Sequence, residues 1–276
     1  MKITLPDNSS RELPEGSSGY DLAKDIGPGL AKSAIAVTID GVQRDLHDVI
    51  DADASVSIIT IDSDEGIEIM RHTLTAQVLA RAIKNLYPKS KLAIGPTVQD
   101  GFYYDVESIE SISSDDLSKI EEEMKKIIKT KSAITKKLVS KKEALKIFKS
   151  NKEPYKEIII NESDQDDNFQ LYYQDDEEFV DLCRGPHLPN LGFIGSFKLT
   201  KVSGAYWKGD SKNSMLTRIY GTAFSNDKDL KNHLENVEEA LKRDHRKLGK
   251  EMDLFHFQDE APGMVFWHPN GWTVYR

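Results

Sequence analysis

The sequence predicts an α+β fold in which a small β-rich module precedes a larger mixed domain. Short strand-like segments separated by turn residues fill residues 1–61, which is typical of a compact sheet. After that point, strand-like segments alternate with longer segments whose apolar residues recur at helical spacing, as in Leu117–Ile128. The chain has 276 residues, enough for two or three modules that each bury a core.

The N-terminal module is predicted to form strands around one helix. The turn Pro6–Ser9 separates two short strand-like segments and indicates a hairpin. Ser17–Gly19 is expected to cap a helix over Tyr20–Ile26. Asp40-Gly41 favours a second tight hairpin, and Val56–Thr60 reads as the closing strand. Strands arranged around a single helix predict a β-grasp module.

The larger domain is predicted to begin after an acidic connector, Ile61–Ile69. Its expected elements are, in chain order, a helix over Met70–Tyr87, strands over Lys91–Ile94 and Phe102–Val106, a helix capped near Ser113 and ending near Thr130, a short helix over Ser140–Ser150, several short strands up to Phe224, and a helix over Asn226–Lys250.

The bulk composition predicts a cytoplasmic protein. No apolar run approaches the ~20 residues that a membrane-spanning helix needs, and the N-terminus has no apolar signal-peptide core. The single cysteine cannot form an internal disulfide, which is typical of a reducing compartment. We therefore expect no membrane partner.

The net charge of −9 is unevenly distributed along the chain. Lys119–Lys152 holds twelve lysines and four glutamates, whereas Asn161–Asp181 holds nine acidic residues and no lysine or arginine. Leu241–Lys250 carries five basic residues and one aspartate. Two interpretations stay open at this point: solvated helix faces, or surfaces that bind the phosphates of a nucleic acid.

The most informative segment contains the only cysteine. Cys183 precedes His187 by four positions, and Asp181 lies just before it. Gly185-Pro186 prevents a continuing helix, so a turn must bring the thiol and the imidazole together. A thiol, an imidazole, a guanidinium and a carboxylate within seven residues predict a functional site.

Asp181–His187 resembles the second signature of the editing domain of threonyl-tRNA synthetases. Pro262–His268 resembles the opening of the aminoacylation core of that family. Five more segments resemble the family in the same order: Ala93–Pro96, Gly101–Asp105, Gly204–Trp207, Arg218–Ala223 and Arg243–Lys247. The resemblance extends over essentially the whole chain.

The resemblance implies four regions: a TGS-like β-grasp domain (1–61), an editing domain (62–225), a linker helix (226–250) and the start of a truncated class II core (251–276). It implies a threonine–tRNA ligase whose N-terminal part binds tRNA(Thr) and hydrolyses mischarged Ser-tRNA(Thr). ATP with Mg and a zinc ion, and a homodimer interface, are expected only in the missing core. No cofactor is expected in this segment.

In the family, two histidines spaced i, i+4 on a helix face the Cys-x-x-x-His turn. This sequence has one histidine there and one extra residue. Counted from Arg71, His72 is the first histidine and Ala76 replaces the second. Counted back from Val78, Thr73 replaces the first and Gln77 the second. A one-residue π-bulge is the arrangement in which His72 and Gln77 both face the site.

The predicted site residues follow from this resemblance. The catalytic candidates are His187, Asp181, His72 and Cys183. The candidates for substrate contacts are Lys156, Tyr104, Asp105, Arg184, Gln77 and Thr73. We expect the thiol to form a wall of the pocket rather than a nucleophile. No metal is expected, because the four-ligand zinc set of the related alanyl editing domains is incomplete here.

Two other functions remain open. One is a non-catalytic tRNA-binding module with a decayed editing site, which the missing histidine favours. The other is a free-standing trans-editing hydrolase, against which the core-like segment Pro262–Arg276 argues.

Overall fold

A computed structural model describes residues 1–174 and 179–276. These residues form two compact units, Met1–Asn226 and Asp227–Arg276. Part of the acidic segment noted in the sequence, residues 175–178, lies outside the described residues. Helices and sheets are mixed along the first unit, so the predicted α+β class is confirmed.

The N-terminal module is a mixed five-stranded sheet in the order β2-β1-β5-β3-β4, with β1 parallel to β5. Its strands are β1 (Lys2–Thr4), β2 (Ser10–Glu12), β3 (Ala34–Ile39), β4 (Val42–Asp45) and β5 (Ala54–Thr60). Its helices are α1 (Gly19–Ile26) and α2 (Pro28–Ser33).

Local sequence signals determine this module. The Ser18 hydroxyl accepts a hydrogen bond from the Asp21 amide, and the Asp21 carboxylate accepts one from the Ser18 amide, which starts α1 as expected. Asp40 and Gly41 both have positive φ, 48° and 81°, as the tight turn between β3 and β4 requires. The predicted helix cap and the predicted Asp40-Gly41 turn are both confirmed.

The first long helix of the larger domain begins at Asp64, so the predicted start at Met70 was wrong. It consists of α3 (Asp64–Thr73), a π-helical turn (Leu74–Leu79) and α4 (Ala80–Leu86). The Ser63 hydroxyl accepts a hydrogen bond from the Gly66 amide at 3.1 Å and caps α3. The acidic first turn, which we had assigned to a connector, stabilises the helix N-terminus instead.

The π-helical turn lies at the place where the sequence carries its extra residue. The Ala80 amide donates to the Thr75 carbonyl, the five-residue spacing of a π-helix. The predicted bulge is therefore present.

Two sheets complete the larger domain. One has the order β12-β13-β8-β6 with β7 paired to β8, and the other has the order β11-β10-β9. The strands are β6 (Lys91–Leu92), β7 (Thr97–Val98), β8 (Gly101–Glu107), β9 (Ile134–Val139), β10 (Phe169–Gln174), β11 (Val180–Leu182), β12 (Ser196–Tyr206) and β13 (Met215–Phe224). The helices are α5 (Leu117–Lys129), α6 (Lys141–Ser150) and α7 (Pro154–Glu162), with 3₁₀ turns at Ser114–Asp116, Leu191–Phe193 and Trp207–Gly209.

Helix α7 was missed by the sequence analysis, which expected only short strands after Ser150. Pro154 occupies the first turn, where a missing amide costs nothing. The helix matters because it carries Lys156.

A single apolar cluster joins the N-terminal module to the larger domain. Ile35 and Ile59 of the small sheet belong to the same buried cluster as Met70 and Leu74 of the long helix. Burial of apolar area stabilises such a cluster by ~25 cal/mol per Å². The two modules therefore pack against each other through this cluster, while Leu22 and Val37 belong to a separate core of the N-terminal module.

The second unit contains α8 (Asp227–Lys242), α9 (His245–Glu251), β14 (Phe255–His256), β15 (Phe266–Trp267) and α10 (Pro269–Tyr275). The continuous helix expected over Asn226–Lys250 is interrupted before His245. There the Asp244 carboxylate accepts a hydrogen bond from the Arg246 amide at 2.8 Å and caps a new helix. Among the described residues, no helix combines the length and apolarity needed to cross a membrane.

We predict that Gly66→Ala destabilises the fold. A Cβ at this position would lie 2.0 Å from the Thr60 carbonyl oxygen, so β5 and α3 would have to separate. The free energy of unfolding should fall by ~1–3 kcal/mol, measured by urea denaturation. Gly29→Ala is the control, because no atom lies within 4 Å of its added Cβ. Equal stability of the two variants would contradict the close packing described here.

Candidate functional site

A cavity of about 870 Å³ lies in the first unit beside the turn that follows β11. The helix with the π turn contributes His72 and Ala76, and α7 contributes Lys156 and Ile159. The remaining walls include Ile94–Pro96, polar residues of 162–170, and Asp181–Gly185. The Cys183 motif, the histidine helix and α7 thus meet at one place.

His72 of the helix and Cys183 of the turn meet in the cavity wall. The His72 Nε2 lies 2.7 Å from the Cys183 Sγ, which also accepts a hydrogen bond from the Gly185 amide at 3.4 Å. Gly185 has a φ of +64°, and an added Cβ would lie 2.0 Å from the Tyr172 hydroxyl. Only glycine therefore fits the turn that brings the thiol to the imidazole.

His187 lies behind His72 rather than in the wall of this cavity. The two rings stack with their centroids 4.7 Å apart and an angle of 8° between their planes. The Thr73 Oγ1 lies 3.1 Å from the His187 Nδ1 and accepts a hydrogen bond from the Leu188 amide at 3.0 Å. His187 is only 2% exposed and lines a different cavity, of about 320 Å³. Thr73, expected as a substrate contact, instead orients His187.

Lys156 and Asp181 form a buried ion pair at the cavity wall. The Lys156 Nζ lies 2.6 Å from the Asp181 Oδ1, and their side chains are 4% and 2% exposed. The Leu182 amide also donates to this carboxylate oxygen, at 2.8 Å. Asp181 is thus occupied by two protein donors and fixes the direction of the lysine.

Three other predicted residues have different surroundings. Arg184 is exposed and lines the cavity, as expected for a contact with a ligand. Asp105 forms a two-pronged pair with Arg218, with N···O distances of 2.7 and 2.8 Å, which satisfies its carboxylate away from the cavity. Tyr104 is fully buried, with the Lys156 ammonium 5.8 Å from its ring centre.

Gln77 does not line the cavity among the described residues, and Ala76 does. Gln77 is fully buried, and the Gln174 amide nitrogen lies 2.7 Å from its carbonyl oxygen and 3.4 Å from its Oε1. Gln174 of β10 thus contacts the Gln77 main-chain carbonyl and Oε1, whereas the Gln77 Nε2 is buried without a hydrogen-bond partner among the described residues. The structure therefore differs from the expectation that His72 and Gln77 face the site together.

Burial keeps the reactive groups uncharged near neutral pH. It lowers the pKa of His72 to about 4, and the nearby Lys156 charge acts in the same direction. Burial also lowers the pKa of His187, with His72 adding to the effect. It raises the pKa of the Cys183 thiol to about 12. The site thus offers neutral imidazoles, which can accept a proton, and a protonated thiol, which is a poor nucleophile.

His72, Cys183 and His187 bring three possible metal-ligand atoms within 4.8 Å of one another. An imidazole binds a metal ion through a lone pair in the plane of its ring. The stacked rings of the two histidines lie in nearly parallel, separate planes, so their lone pairs do not converge on one point. In this arrangement the three residues do not fit a zinc ion, and we derive no chemistry from one.

Sequence reasoning missed Asp45, at the end of β4 in the N-terminal module. Its carboxylate accepts a hydrogen bond from the His187 amide at 2.8 Å and another from the Tyr172 hydroxyl at 2.8 Å. No motif surrounds Asp45. The only signal in the sequence was its place after the Asp40-Gly41 hairpin, where a strand ends.

We predict that the Cys183 thiol is unreactive in the folded protein. Because its pKa is raised to about 12, the thiolate fraction at pH 8 is far below that of a free cysteine. A disulfide reagent such as DTNB should react at least ~100-fold more slowly with the native chain than with the chain in urea. As the only cysteine, Cys183 gives the whole signal. Equal rates in the two states would contradict a protonated, protected thiol.

We predict that the protein loses stability as the pH falls from ~6.5 to ~4. A histidine whose folded pKa is lowered stays neutral while the unfolded chain binds a proton, so proton binding stabilises the unfolded state relative to the folded one in that window. For His72 the loss should be ~1–3 kcal/mol in urea denaturation. His72→Gln should flatten the pH dependence, and exposed His47→Gln should not. An unchanged slope in His72→Gln would contradict the burial effect.

Comparisons with known proteins agree with the resemblance in the sequence. The profile of the TGS domain matches residues 1–60. The profile of the "Threonyl and Alanyl tRNA synthetase second additional domain" matches residues 170–220, which include the Cys183 turn. The threonine–tRNA ligases of Prochlorococcus marinus (strain MIT 9211) and Hahella chejuensis (strain KCTC 2396) are each 51% identical to the chain over 274 residues.

Each match covers 99% of this chain and 42% of the relative, so the chain spans less than half the length of these curated relatives. The two matched domains lie in the order that the sequence predicted. The chain is therefore a relative of the N-terminal part of threonine–tRNA ligases, with a TGS domain followed by the second additional domain of threonyl- and alanyl-tRNA synthetases.

Proposed function

We propose that this chain binds tRNA(Thr) and hydrolyses the ester bond of mischarged Ser-tRNA(Thr). The observation that carries the proposal is the cavity where neutral His72, the Cys183 thiol and the buried Lys156–Asp181 pair meet. A cavity of about 870 Å³ is large enough for an aminoacylated terminal nucleoside. The named relatives are threonine–tRNA ligases. We also propose that the full-length protein attaches threonine to tRNA with ATP in the cytoplasm, through a homodimeric core with Mg and zinc.

A second, hydrolytic site has a clear physical purpose in a threonine–tRNA ligase. Serine lacks only one methyl group of threonine, and a binding pocket gains only ~1–3 kcal/mol from such a group. The synthetic site therefore accepts serine at a low rate. A separate site that excludes the larger threonine on steric grounds and hydrolyses the serine ester removes this error.

His72 is the group that we assign to activate water. It is partly exposed, lines the cavity, and is neutral at pH 7 because its pKa is about 4. To accept a proton, it must have its lone pair on Nδ1 and direct its Nε2–H at the Cys183 sulfur, 2.7 Å away. In this tautomer the Cys183 sulfur accepts the hydrogen bond and holds the imidazole in place. His187, stacked behind, limits the rotation of the His72 ring.

Lys156 is the group that we assign to negative charge in the substrate. Its ammonium lies in the cavity wall with a side-chain exposure of 4%, where a charge interacts more strongly than in water. Asp181 holds it in one direction, which serves oxyanion stabilisation or phosphate binding. Arg184, exposed beside the cavity, is placed to contact a phosphate of the terminal nucleotides.

The basic segments Lys119–Lys152 and Leu241–Lys250 are proposed to contact tRNA phosphates. Lys136 is left out because its side chain is only 18% exposed and its ammonium lies 2.9 Å from Asp45 and 2.5 Å from Asp48. Ion pairs elsewhere in these segments, such as Lys126–Glu123 and Arg246–Asp244, involve exposed basic side chains. The other members of these segments are mostly exposed, as contacts with a polyanion require.

A non-catalytic tRNA-binding module is the second candidate. Two observations favour it: Ala76, not an imidazole, lines the cavity one helical turn after His72, and the Asp181 carboxylate is already paired. This module would hold the acceptor end of tRNA without hydrolysing the ester.

The two candidates are separated by single-turnover hydrolysis of Ser-tRNA(Thr). We expect the wild-type chain to cleave this ester and to spare Thr-tRNA(Thr). His72→Ala should reduce the rate by ~10²–10⁴, the usual contribution of a general base. Cys183→Ala should cost less, since the thiol only holds the imidazole in place.

A histidine scan of the π-helical turn gives the matched control. Ala76→His places an imidazole in the cavity and should raise the hydrolysis rate, whereas Gln77→His places one in the core and should not raise it. Lack of hydrolysis by the wild type, with tRNA binding intact in a filter assay, would leave the binding module as the function.

A further inference from the structure

We propose that Asp45 of the N-terminal module is a positioning residue of the hydrolytic site, which it acts on through His187. The effect of Asp45 on the reaction rate rests on the proposed hydrolysis. Its effect on the position of His187 rests on geometry alone. It makes the TGS domain a physical part of the site and not only an attached module.

Asp45 holds the turn through both of its carboxylate oxygens. Oδ1 accepts the hydrogen bond of the His187 amide at 2.8 Å. Oδ2 accepts one from the Tyr172 hydroxyl at 2.8 Å and lies 2.9 Å from the Lys136 Nζ. One side chain from β4 thus joins β9, β10 and the turn after β11. Hydrogen bonds to a charged acceptor are worth roughly twice those between neutral groups.

The contacts of Asp45 determine where the His187 ring lies. Tyr172 packs its ring edge-on against His187 with the centroids 4.3 Å apart, and His72 stacks on His187 at 4.7 Å. Asp45 therefore holds the main chain of His187 directly. It also holds Tyr172, a neighbour of the His187 ring, through the Tyr172 hydroxyl. The position of His187 in turn fixes the plane of the His72 ring that faces the substrate cavity.

A cavity beside His187 gives the turn room to move. The cavity of about 320 Å³ lies where the two modules meet, with Asp45, Lys136, Tyr172 and His187 among its walls. The His187 Nε2 is buried and has no hydrogen-bond partner among the described residues. Without the Asp45 carboxylate, the turn has room to shift away from His72 by a distance that matters, because misplacement by ~1 Å can cost ~100-fold in rate.

The test uses the full chain with Asp45→Ala, Asp45→Asn and Asp48→Asn. The last variant is a matched control, because Asp48 contacts Lys136 but has no contact with His187 among its described hydrogen bonds. Hydrogen exchange of the His187 amide, followed by NMR, reports the Asp45 bond without any RNA. Single-turnover hydrolysis of Ser-tRNA(Thr) reports the rate and the half-saturating enzyme concentration separately.

In Asp45→Ala, the His187 amide should exchange at least ~10-fold faster than in the wild type. The hydrolysis rate should fall by ~10-fold or more. The half-saturating concentration of this variant should stay within about twofold of wild type, since no tRNA contact is lost. Asp45→Asn keeps an oxygen for the amide and should restore most of both properties. Asp48→Asn should match the wild type in both.

Two results would overturn the proposal: wild-type protection of the His187 amide in Asp45→Ala, or the same loss of protection in Asp48→Asn. Absence of hydrolysis in the wild type would count against the proposed function alone. In that case the exchange experiment still decides whether Asp45 positions His187.

Discussion

The buried ion pair between Lys156 and Asp181 is the interaction on which the rest of the site depends. It joins α7 to β11, the strand that leads directly into the Cys183 turn. Removing either partner would leave an unpaired charge in a place that is at most 4% exposed, a change that typically costs ~3–5 kcal/mol. The pair therefore resists change for reasons of stability as well as of chemistry.

The same pair determines the electrostatics of the cavity. The Lys156 charge adds to burial in lowering the pKa of His72, while burial raises the pKa of Asp181 against the opposing effect of the lysine. The result is a cavity wall with one fixed cation, one neutral imidazole and one protonated thiol. An ester with a developing negative charge suits such a wall better than a reaction that needs a thiolate nucleophile.

Local signals in the sequence predicted much of the fold. The features that the sequence did not predict depend on contacts between residues far apart in the chain. The capping of α1, the Asp40-Gly41 turn and the π-helical turn depend on neighbouring residues, so the sequence shows them. The surroundings of Gln77 include Gln174, which lies far along the chain in β10 and contacts both its main-chain carbonyl and its Oε1. Helix α7 was missed for a related reason: its hydrophobic residues do not form one clear face, because it packs between other elements.

The residues of the candidate site also divide into those that the sequence predicted and those that only the structure shows. Spacing and residue type indicated that Cys183 and His187 would meet, and the family resemblance added His72; in the structure the three residues lie together. Spacing could not tell which imidazole faces the cavity, because that depends on how the turn packs against the N-terminal module. Asp45 has no motif around it and acts through a main-chain amide, a contact that requires no particular residue at position 187. A residue that recognises backbone leaves no pattern at its partner, so only the three-dimensional structure reveals it.

The two candidate functions differ in what they require of this packing. A module that only binds the end of a tRNA needs a cavity and a cation, and small shifts of His187 would change its affinity little. A hydrolytic site needs the ring of His72 held in one plane with one tautomer, and such precision requires rigid support behind it. The Asp45 carboxylate and the Thr73 hydroxyl contact His187 directly, and the Tyr172 hydroxyl contacts Asp45. Yet His187 itself does not line the larger cavity among the described residues. Support of this kind has a physical purpose if the ring in front of it must be held still, and this favours hydrolysis over binding alone.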